Sequence, residues 1–168
     1  MQRREPGRLL AMVIALLICL IPSTWLSCAA PAQAAMDYAK QVLIGADFHG
    51  ADLRTTTFNL TNLRDADLHG ADLEDASLFG AKLQDANLSG ANLRRATLDS
   101  AVLEGTDLRD AVLEDAFAFN TRFISVQISG ADFTNVPLRG DALRSLCATA
   151  SGVNPTTGRS TRESLACP

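Results

Sequence analysis

The sequence predicts an all-β solenoid, in which the chain winds in stacked coils and short C-terminal α-helices close one end. Three observations predict it: a large apolar residue recurs at every fifth position, a small residue usually stands two places earlier, and the other three positions are mostly polar. An α-helix needs apolar residues about every 3.6 positions and a half-buried strand every second one, so neither fits. The recurring residues are Phe48, Leu53, Phe58, Leu63, Leu68, Leu73, Leu78, Leu83, Leu88, Leu93, Leu98, Leu103, Leu108, Leu113, Ala118, Phe123, Ile128, Phe133 and Leu138.

Each unit of five residues is expected to form one side of a square coil. Two apolar positions in five suit a chain that runs straight for a few residues and then turns a corner. Four units close a coil of twenty residues, and the next coil stacks on it at the strand spacing of about 4.8 Å. Residues twenty positions apart should therefore lie above one another.

The repeat resembles that of the pentapeptide-repeat family, whose units follow the pattern A-(D/N)-L-x-x. The units ADLHG, ADLED, ANLSG and ANLRR match this pattern closely, and the resemblance covers residues 46–138. It implies that these residues form a right-handed quadrilateral β-helix.

Residues 1–34 are predicted to be a secretory signal peptide. Three Arg residues form a basic start, a long apolar stretch follows, and an A-x-A pattern ends at Ala34, where we expect cleavage. The remaining chain should then have no stable membrane insertion. Two alternatives stay open: an uncleaved membrane anchor, although Pro22 interrupts the apolar stretch, and lipidation at Cys28, although Trp25 departs from the usual lipoprotein signal.

Removal of the leader makes the protein more acidic. The whole chain has 15 basic and 19 acidic side chains, and the leader contains three Arg and one Glu, which leaves 12 basic and 18 acidic side chains and a net charge of −6. An acidic exported protein is a poor binder of polyanions, so we expect no nucleic-acid partner.

Residues 35–45 are predicted to form an N-terminal cap. Tyr38 and Leu43 keep the five-residue register, but Ala is missing from the positions paired with them. A strand or a helical turn over the first coil would cover backbone groups that otherwise invite edge pairing.

Residues 139–168 are predicted to form a C-terminal cap of short helices. The five-residue period stops after Leu138, and the following stretch has helical character. Ser160, with Glu163 three residues later, provides a capping box for a second short helix.

Cys147 and Cys167 are the two cysteines that remain after the leader is removed. An even pair in an exported protein most simply forms a disulfide, and a free pair or a two-Cys metal site is the alternative. The tail that contains them resembles that of thylakoid-lumen members of the family in cyanobacteria and chloroplasts. This resemblance implies the thylakoid lumen as the location, with the periplasm or the extracellular space as the alternative.

His49 and His69 lie twenty residues apart and should stack, with Asp47 and Asp67 beside them. Imidazoles with carboxylates suit a weak divalent-metal site or a pH sensor. The alternative is two ordinary solvated histidines at tolerant surface positions, because the sequence shows no buried second shell that would orient the rings.

The unit AFAFN places Ala118 where Leu is expected. Phe117 and Phe119 then occupy outward positions, and Phe79 belongs to the same column two coils earlier. Two interpretations remain: these aromatic residues form a contact patch, or a local bulge turns one Phe inward to replace the missing Leu.

Charges alternate along another column, which reads Arg54, Glu74, Arg94 and Glu114, and at the neighbouring position, which includes Asp75, Arg95 and Asp115. Opposite charges at strand spacing attract one another, so the pattern favours ladders that keep the register of the coils. A stripe for docking a partner is the alternative.

The sequence contains no catalytic constellation, phosphate loop or repeated metal motif. We therefore expect a non-enzymatic scaffold or interaction module without a cofactor, whose partner is an unidentified protein. Two other hypotheses are an acidic mimic of duplex DNA that binds a topoisomerase, as some members of the family do, and a weakly metal-binding or pH-responsive lumen protein. The leader and the basic residues among the acidic ones oppose the DNA mimic.

Overall fold

The computed structural model describes residues 36–168, so the predicted signal peptide lies outside the described residues. The helices and strands in chain order are β1 (Val102–Glu104), β2 (Arg122–Ile124), α1 (Gly140–Thr149) and α2 (Thr161–Ser164). Elsewhere in the coils single parallel bridges join the chain to itself. In this part of the chain no helix is long and apolar enough to cross a bilayer.

The coils repeat every twenty residues. Asp47 bridges Asp67, Asp67 bridges Asn87, and Asn87 bridges Asp107, always in parallel. The strands β1 and β2 pair in parallel with the same offset. The chain therefore forms a β-solenoid with four five-residue units in each coil, as the period of the sequence predicts.

The last residue of nearly every unit has a left-handed backbone. Gly50, Asp65 and Arg95 have φ angles of 61°, 58° and 56°. Gly, Asp and Asn tolerate positive φ better than other residues, which explains why they dominate this position in the sequence. Asn120, in the unit AFAFN, is an exception, since its φ is not positive.

The interior of the solenoid holds two residues from each unit. The large central residue and the small one two places earlier are both buried throughout the middle coils. At two positions where Thr replaces Ala, the hydroxyl is satisfied by the preceding coil: Thr106 Oγ1 donates to the carbonyl of Leu83 and Thr121 Oγ1 to that of Leu98, each at 2.7 Å. A polar atom is thus accommodated in an apolar interior at little cost.

In the segment predicted as an N-terminal cap, residues 35–45, the described residues 36–45 continue the coil. Asp37 and Val42 make the same parallel bridges to the next coil as the later repeats do. The segment follows this path because Tyr38 takes the central position and stacks on Phe58, with ring centroids 5.1 Å apart. These residues therefore form the first units of the solenoid instead of a separate strand or helical turn that covers it.

The C-terminal end carries a cap built from α1, α2 and the segment between them. A disulfide joins Cys147 to Cys167, and Ser160 with Glu163 forms the capping box at the start of α2. The fully buried Asn154 donates its side-chain amide to three backbone carbonyls of the last two coils, at 2.8 to 3.2 Å. The cap is therefore tied to the coils by hydrogen bonds as well as by packing.

A buried carboxylate adds to this attachment. Asp132, in the last coil, is 0% exposed and accepts hydrogen bonds from Arg159 of the cap at 3.1 Å and from the hydroxyl of Thr134 at 2.6 Å. Burial alone would raise the pKa of Asp132, but the hydrogen bonds from Thr134 and Thr157 and the charge of Arg159 outweigh it, and the net pKa is lowered.

Replacing Leu83 with Ala should lower the free energy of unfolding by about 2 to 5 kcal/mol, because the change leaves a cavity between neighbouring coils. Lys82→Ala is the matched control, since Lys82 is the exposed neighbour in the same unit and surface changes usually alter stability by less than about 0.5 kcal/mol. Thermal or urea melts measure both. Equal losses would contradict the assignment of inward and outward positions.

Replacing Asp132 with Asn should lower the melting temperature most at neutral pH. A carboxylate with a lowered pKa in the folded state adds stability above its unfolded pKa of about 4, and this stability is lost as the pH falls through the folded value. The difference in melting temperature between the native protein and the variant should therefore shrink below about pH 4. A difference that stays constant from pH 7 to pH 3 would show that the charge of Asp132 does not stabilise the cap.

Candidate functional site

The stacking of units twenty residues apart produces four columns, each with its own surface chemistry. The phenylalanine column comprises the units centred on Tyr38, Phe58, Leu78, Leu98 and Ala118. The histidine column comprises those centred on Phe48, Leu68, Leu88, Leu108 and Ile128. The charged column comprises those centred on Leu53, Leu73, Leu93, Leu113 and Phe133. The fourth column comprises those centred on Leu43, Leu63, Leu83, Leu103 and Phe123.

The phenylalanine column exposes aromatic side chains to solvent. Phe79, Phe117 and Phe119 are 44%, 50% and 47% exposed, whereas Ala118 is fully buried at the central position. The bulge that would turn one Phe inward is therefore not formed. Instead Ala118 keeps the regular register, and both neighbouring rings project outward.

Leu60 adds an aliphatic side chain to this exposed surface, at a position where the sequence pattern does not predict one. It occupies the last position of its unit, with a φ of 59°, and is 52% exposed. A Cβ at Gly80 would lie 2.7 Å from Leu60 Cδ2, so the glycine leaves room for Leu60 to lie over the next turn. We call Leu60, Phe79, Phe117 and Phe119 the apolar patch. The sequence did contain a sign of this residue, because the last position of a unit usually holds Gly, Asp or Asn and here holds Leu.

Asp99 is the charged residue that stands between Phe79 and Phe119 in the column. Its carboxylate accepts a hydrogen bond from the backbone N–H of Asn120 at 2.9 Å, where the chain departs from the left-handed turn of the other units. In each unit the residue just before the central one forms the parallel bridge, and we call it the bridge residue. From the second coil onward the bridge residues of this column carry no charge; they are Thr57, Ser77, Thr97 and Phe117. The apolar patch therefore lies on a column with little charge.

The histidine column brings His49 and His69 together. Their rings stack with centroids 5.0 Å apart and an interplanar angle of 15°. Asp47 and Asp67 each accept a hydrogen bond from the backbone N–H of the histidine two residues later, at 3.0 Å. The lone pair of an imidazole nitrogen lies in the plane of its ring, so two nearly parallel rings do not direct their nitrogens at one ion. Within residues 36–168 no group of three or more His, Cys, Asp or Glu is arranged to hold a metal.

A hydrogen-bonded chain fixes the protonation of one ring nitrogen of His69. Asn87 Nδ2 donates to Asp67 at 3.2 Å, which directs Asn87 Oδ1 toward Ser89. Because Asn87 Oδ1 only accepts, the Ser89 hydroxyl must donate to it, at 2.7 Å. The Ser89 oxygen is then the acceptor for His69 Nδ1 at 2.8 Å, so His69 carries a hydrogen on Nδ1.

The charged column contains ion pairs, but several differ from the predicted ladder. Arg94 pairs with Glu114 across one coil step, at 3.2 Å, as the column predicts. At the neighbouring position Arg95 pairs with Asp75 across one coil step, at 2.9 Å, also as predicted, but it contacts Glu74 as well. Glu74 therefore pairs with the neighbour of Arg94 instead of with Arg94 itself, because a long Arg side chain reaches diagonally.

The first arginine of the charged column pairs within its own unit. Arg54 contacts Asp52 at 2.7 Å and Asp72 at 3.5 Å. The hydrogen bond from the Arg54 side chain lowers the pKa of Asp52 to about 2. These pairs are exposed to solvent and contribute little to stability, but they neutralise much of the negative charge of the column.

The repeat geometry and the comparisons with known sequences agree on the class of protein. The family described as Pentapeptide repeats (8 copies) matches residues 42–78 and 76–115. A pentapeptide-repeat protein of the Arabidopsis thaliana thylakoid lumen is 41% identical in a structural alignment that covers 79% of this chain and 85% of that one, with a TM-score of 0.58. The chain belongs to the pentapeptide-repeat family.

Two further proteins show how the similarity is distributed. The chain is 56% identical to Thylakoid lumenal 15 kDa protein 1, chloroplastic, of Arabidopsis thaliana over a match of 48 residues. These residues are 29% of this chain. The match spans 21% of that curated relative. A pentapeptide-repeat protein of the cyanobacterium Cyanothece is 26% identical, with 57% of this chain and 62% of that one aligned and a TM-score of 0.50.

The assignment of His69 predicts that its neutral form carries the ring hydrogen on Nδ1. Two-dimensional ¹⁵N–¹H NMR at about pH 9, where ordinary imidazoles are neutral, distinguishes the two tautomers. Replacing Ser89 with Ala removes the acceptor and should shift His69 toward the Nε2–H form, while His49 should not change. A His69 that is protonated mainly on Nε2 in the native protein would contradict the hydrogen-bonded chain.

Proposed function

We propose that this protein is a non-enzymatic scaffold of the thylakoid lumen that binds a protein partner through the apolar patch. The observation that carries the proposal is the group of half-exposed aromatic rings, Phe79, Phe117 and Phe119, on a column with little charge. We also propose that its coils are right-handed and four-sided, as in other members of the family.

The proposed location is supported by the relatives and by the disulfide. The two Arabidopsis proteins described above are proteins of the thylakoid lumen. A disulfide between Cys147 and Cys167 suits an exported protein, because thiols stay reduced in most cytosolic environments. The leader predicted for residues 1–34 would deliver the chain to such a compartment.

The partner should present an apolar, weakly charged surface. Exposed apolar groups that lie together on a folded protein commonly mark a site of protein interaction. Aromatic residues often supply a large share of binding energy, because a rigid ring buries a large area at a small entropic cost. The regular coils hold these rings on a fixed backbone, so little ordering of the chain would accompany binding.

Other functions receive less support from the surface. A mimic of duplex DNA requires continuous negative charge, whereas Arg54, Arg94 and Arg95 pair with the carboxylates of the charged column. An enzyme requires a cleft that converges on reactive groups, and the interior of the middle coils is filled by Leu and Ala. A metal site would require ring nitrogens that converge, which the stacked histidines do not provide.

Replacing both Phe79 and Phe119 with Ser should weaken partner binding about tenfold or more, because two aromatic anchors are lost. The measurement is quantitative mass spectrometry of proteins that co-purify with the tagged chain from thylakoid lumen. Val153→Ser is the matched control, since Val153 is 60% exposed but lies in the C-terminal cap, outside the phenylalanine column. Melting temperatures should confirm that each variant is folded.

The proposal predicts at least one protein that is lost with the double variant and retained with the control. If the double variant and the native protein recover the same proteins in the same amounts, the apolar patch is not the binding site. If the control loses the same protein, binding depends on general surface hydrophobicity and the assignment to this column is wrong.

A further inference from the structure

The hydrogen bonds between neighbouring coils are unequal in direction. In one representative unit, the N–H groups of Leu43 and Gly45 donate to carbonyls of the next coil, those of Asn62 and Arg64, both at 2.8 Å. A single N–H, that of Asn62, donates back to Gln41 at 2.9 Å. The same pattern recurs in the other units of the first three coils.

The bridge residue of each unit directs both of its backbone polar groups toward the N-terminal end. The N–H of Asn62 donates to the first coil, and its C=O accepts from the first coil. Val42 is the equivalent residue one coil earlier, so its N–H and C=O both point out of the solenoid. Neither group has a hydrogen-bond partner among residues 36–168.

Three other bridge residues of the first coil are placed in the same way; they are Asp37, Asp47 and Asp52. Their N–H groups also lack a partner in the described part of the chain. The carbonyl of Asp37 also accepts from Gln41 Nε2 at 3.4 Å, and Val42, Asp47 and Asp52 each present one donor and one acceptor in the same direction. This is the pairing unit of an antiparallel sheet, in which two opposed residues exchange both hydrogen bonds.

The same end of the solenoid exposes the interior. Tyr38, Leu43 and Phe48 occupy central positions but are only partly buried, unlike their equivalents in the middle coils. Val42 and Ile44, beside them, are 72% and 54% exposed. The N-terminal end therefore combines an apolar centre with a surrounding row of N–H groups that have no hydrogen-bond partner among residues 36–168, whereas the C-terminal end is covered by the disulfide-linked cap.

We propose that the N-terminal end binds the same end of a second copy of this chain, about a two-fold axis perpendicular to the solenoid. Such an axis makes the facing coils of the two copies run in opposite directions, as antiparallel pairing requires. It also places the bridge residues of one copy against those of the other. The charges of the first coil allow the contact, because three acidic residues are accompanied by Lys40 and Arg54. The C-terminal cap prevents head-to-tail stacking, so assembly stops at a dimer.

This proposal rests on the proposed export, because removal of residues 1–34 leaves a single residue before Met36. The test uses the processed protein, with its N-terminus determined by mass spectrometry. Sedimentation equilibrium should give twice the mass of one processed chain. Hydrogen exchange followed by NMR should show slower exchange of the amides of Val42, Asp47 and Asp52 as the protein concentration rises.

The double variant Val42→Asp, Ile44→Glu should weaken the dimer at least tenfold by bringing like charges together at the contact. Asp and Glu occur at the equivalent positions of other units, so the coil tolerates them. Val153→Asp is the matched control, since Val153 is 60% exposed in the C-terminal cap, and it should leave the dimer unchanged.

A processed protein that is monomeric, with fast amide exchange at every concentration, would overturn the dimer and leave the proposed export standing. A dimer that Val153→Asp disrupts and the double variant does not would overturn the placement of the contact. Recovery of the chain with its leader still attached would instead contradict the proposed export.

Discussion

The parallel hydrogen bonding of each coil to the next, at a fixed offset of twenty residues, is the constraint on which the rest of the structure depends. It requires every unit to have the same length, because a single insertion would shift all later central residues away from the interior. It also explains the choice of residues. A large and a small apolar side chain fill the space inside each unit, and the closing turn favours residues that tolerate a positive φ.

The regular features of this fold could be predicted from the sequence because each one repeats. The stacking of His49 on His69 follows from counting residues, and so does the buried position of Ala118. The direction of long side chains could not be predicted in this way. Arg95 reaches diagonally to Glu74, and the pairing of an arginine depends on its rotamer as well as on its position in the repeat.

The candidate binding site illustrates the same limit. The sequence places Phe117 and Phe119 at outward positions, but it leaves open whether the missing Leu draws one of them inward. The structure resolves this in favour of two exposed rings, because Ala118 stays at the central position and keeps its register. Leu60 was missed because a turn position is expected to be polar. Its exposure becomes evident only when the units are stacked and Gly80 is seen beneath it.

The unequal direction of the bonds between coils gives the solenoid an electrical polarity. Each unit contributes a net alignment of peptide dipoles, with carbonyls toward the N-terminal end and N–H groups toward the C-terminal end, opposite to the sense of an α-helix. The C-terminal cap matches this polarity by supplying acceptors: the carbonyl of Ser151 receives the N–H of Gly130, and Ser164 Oγ receives that of Phe133. Because the dipole arises from the backbone, it is present whatever side chains the surface columns carry.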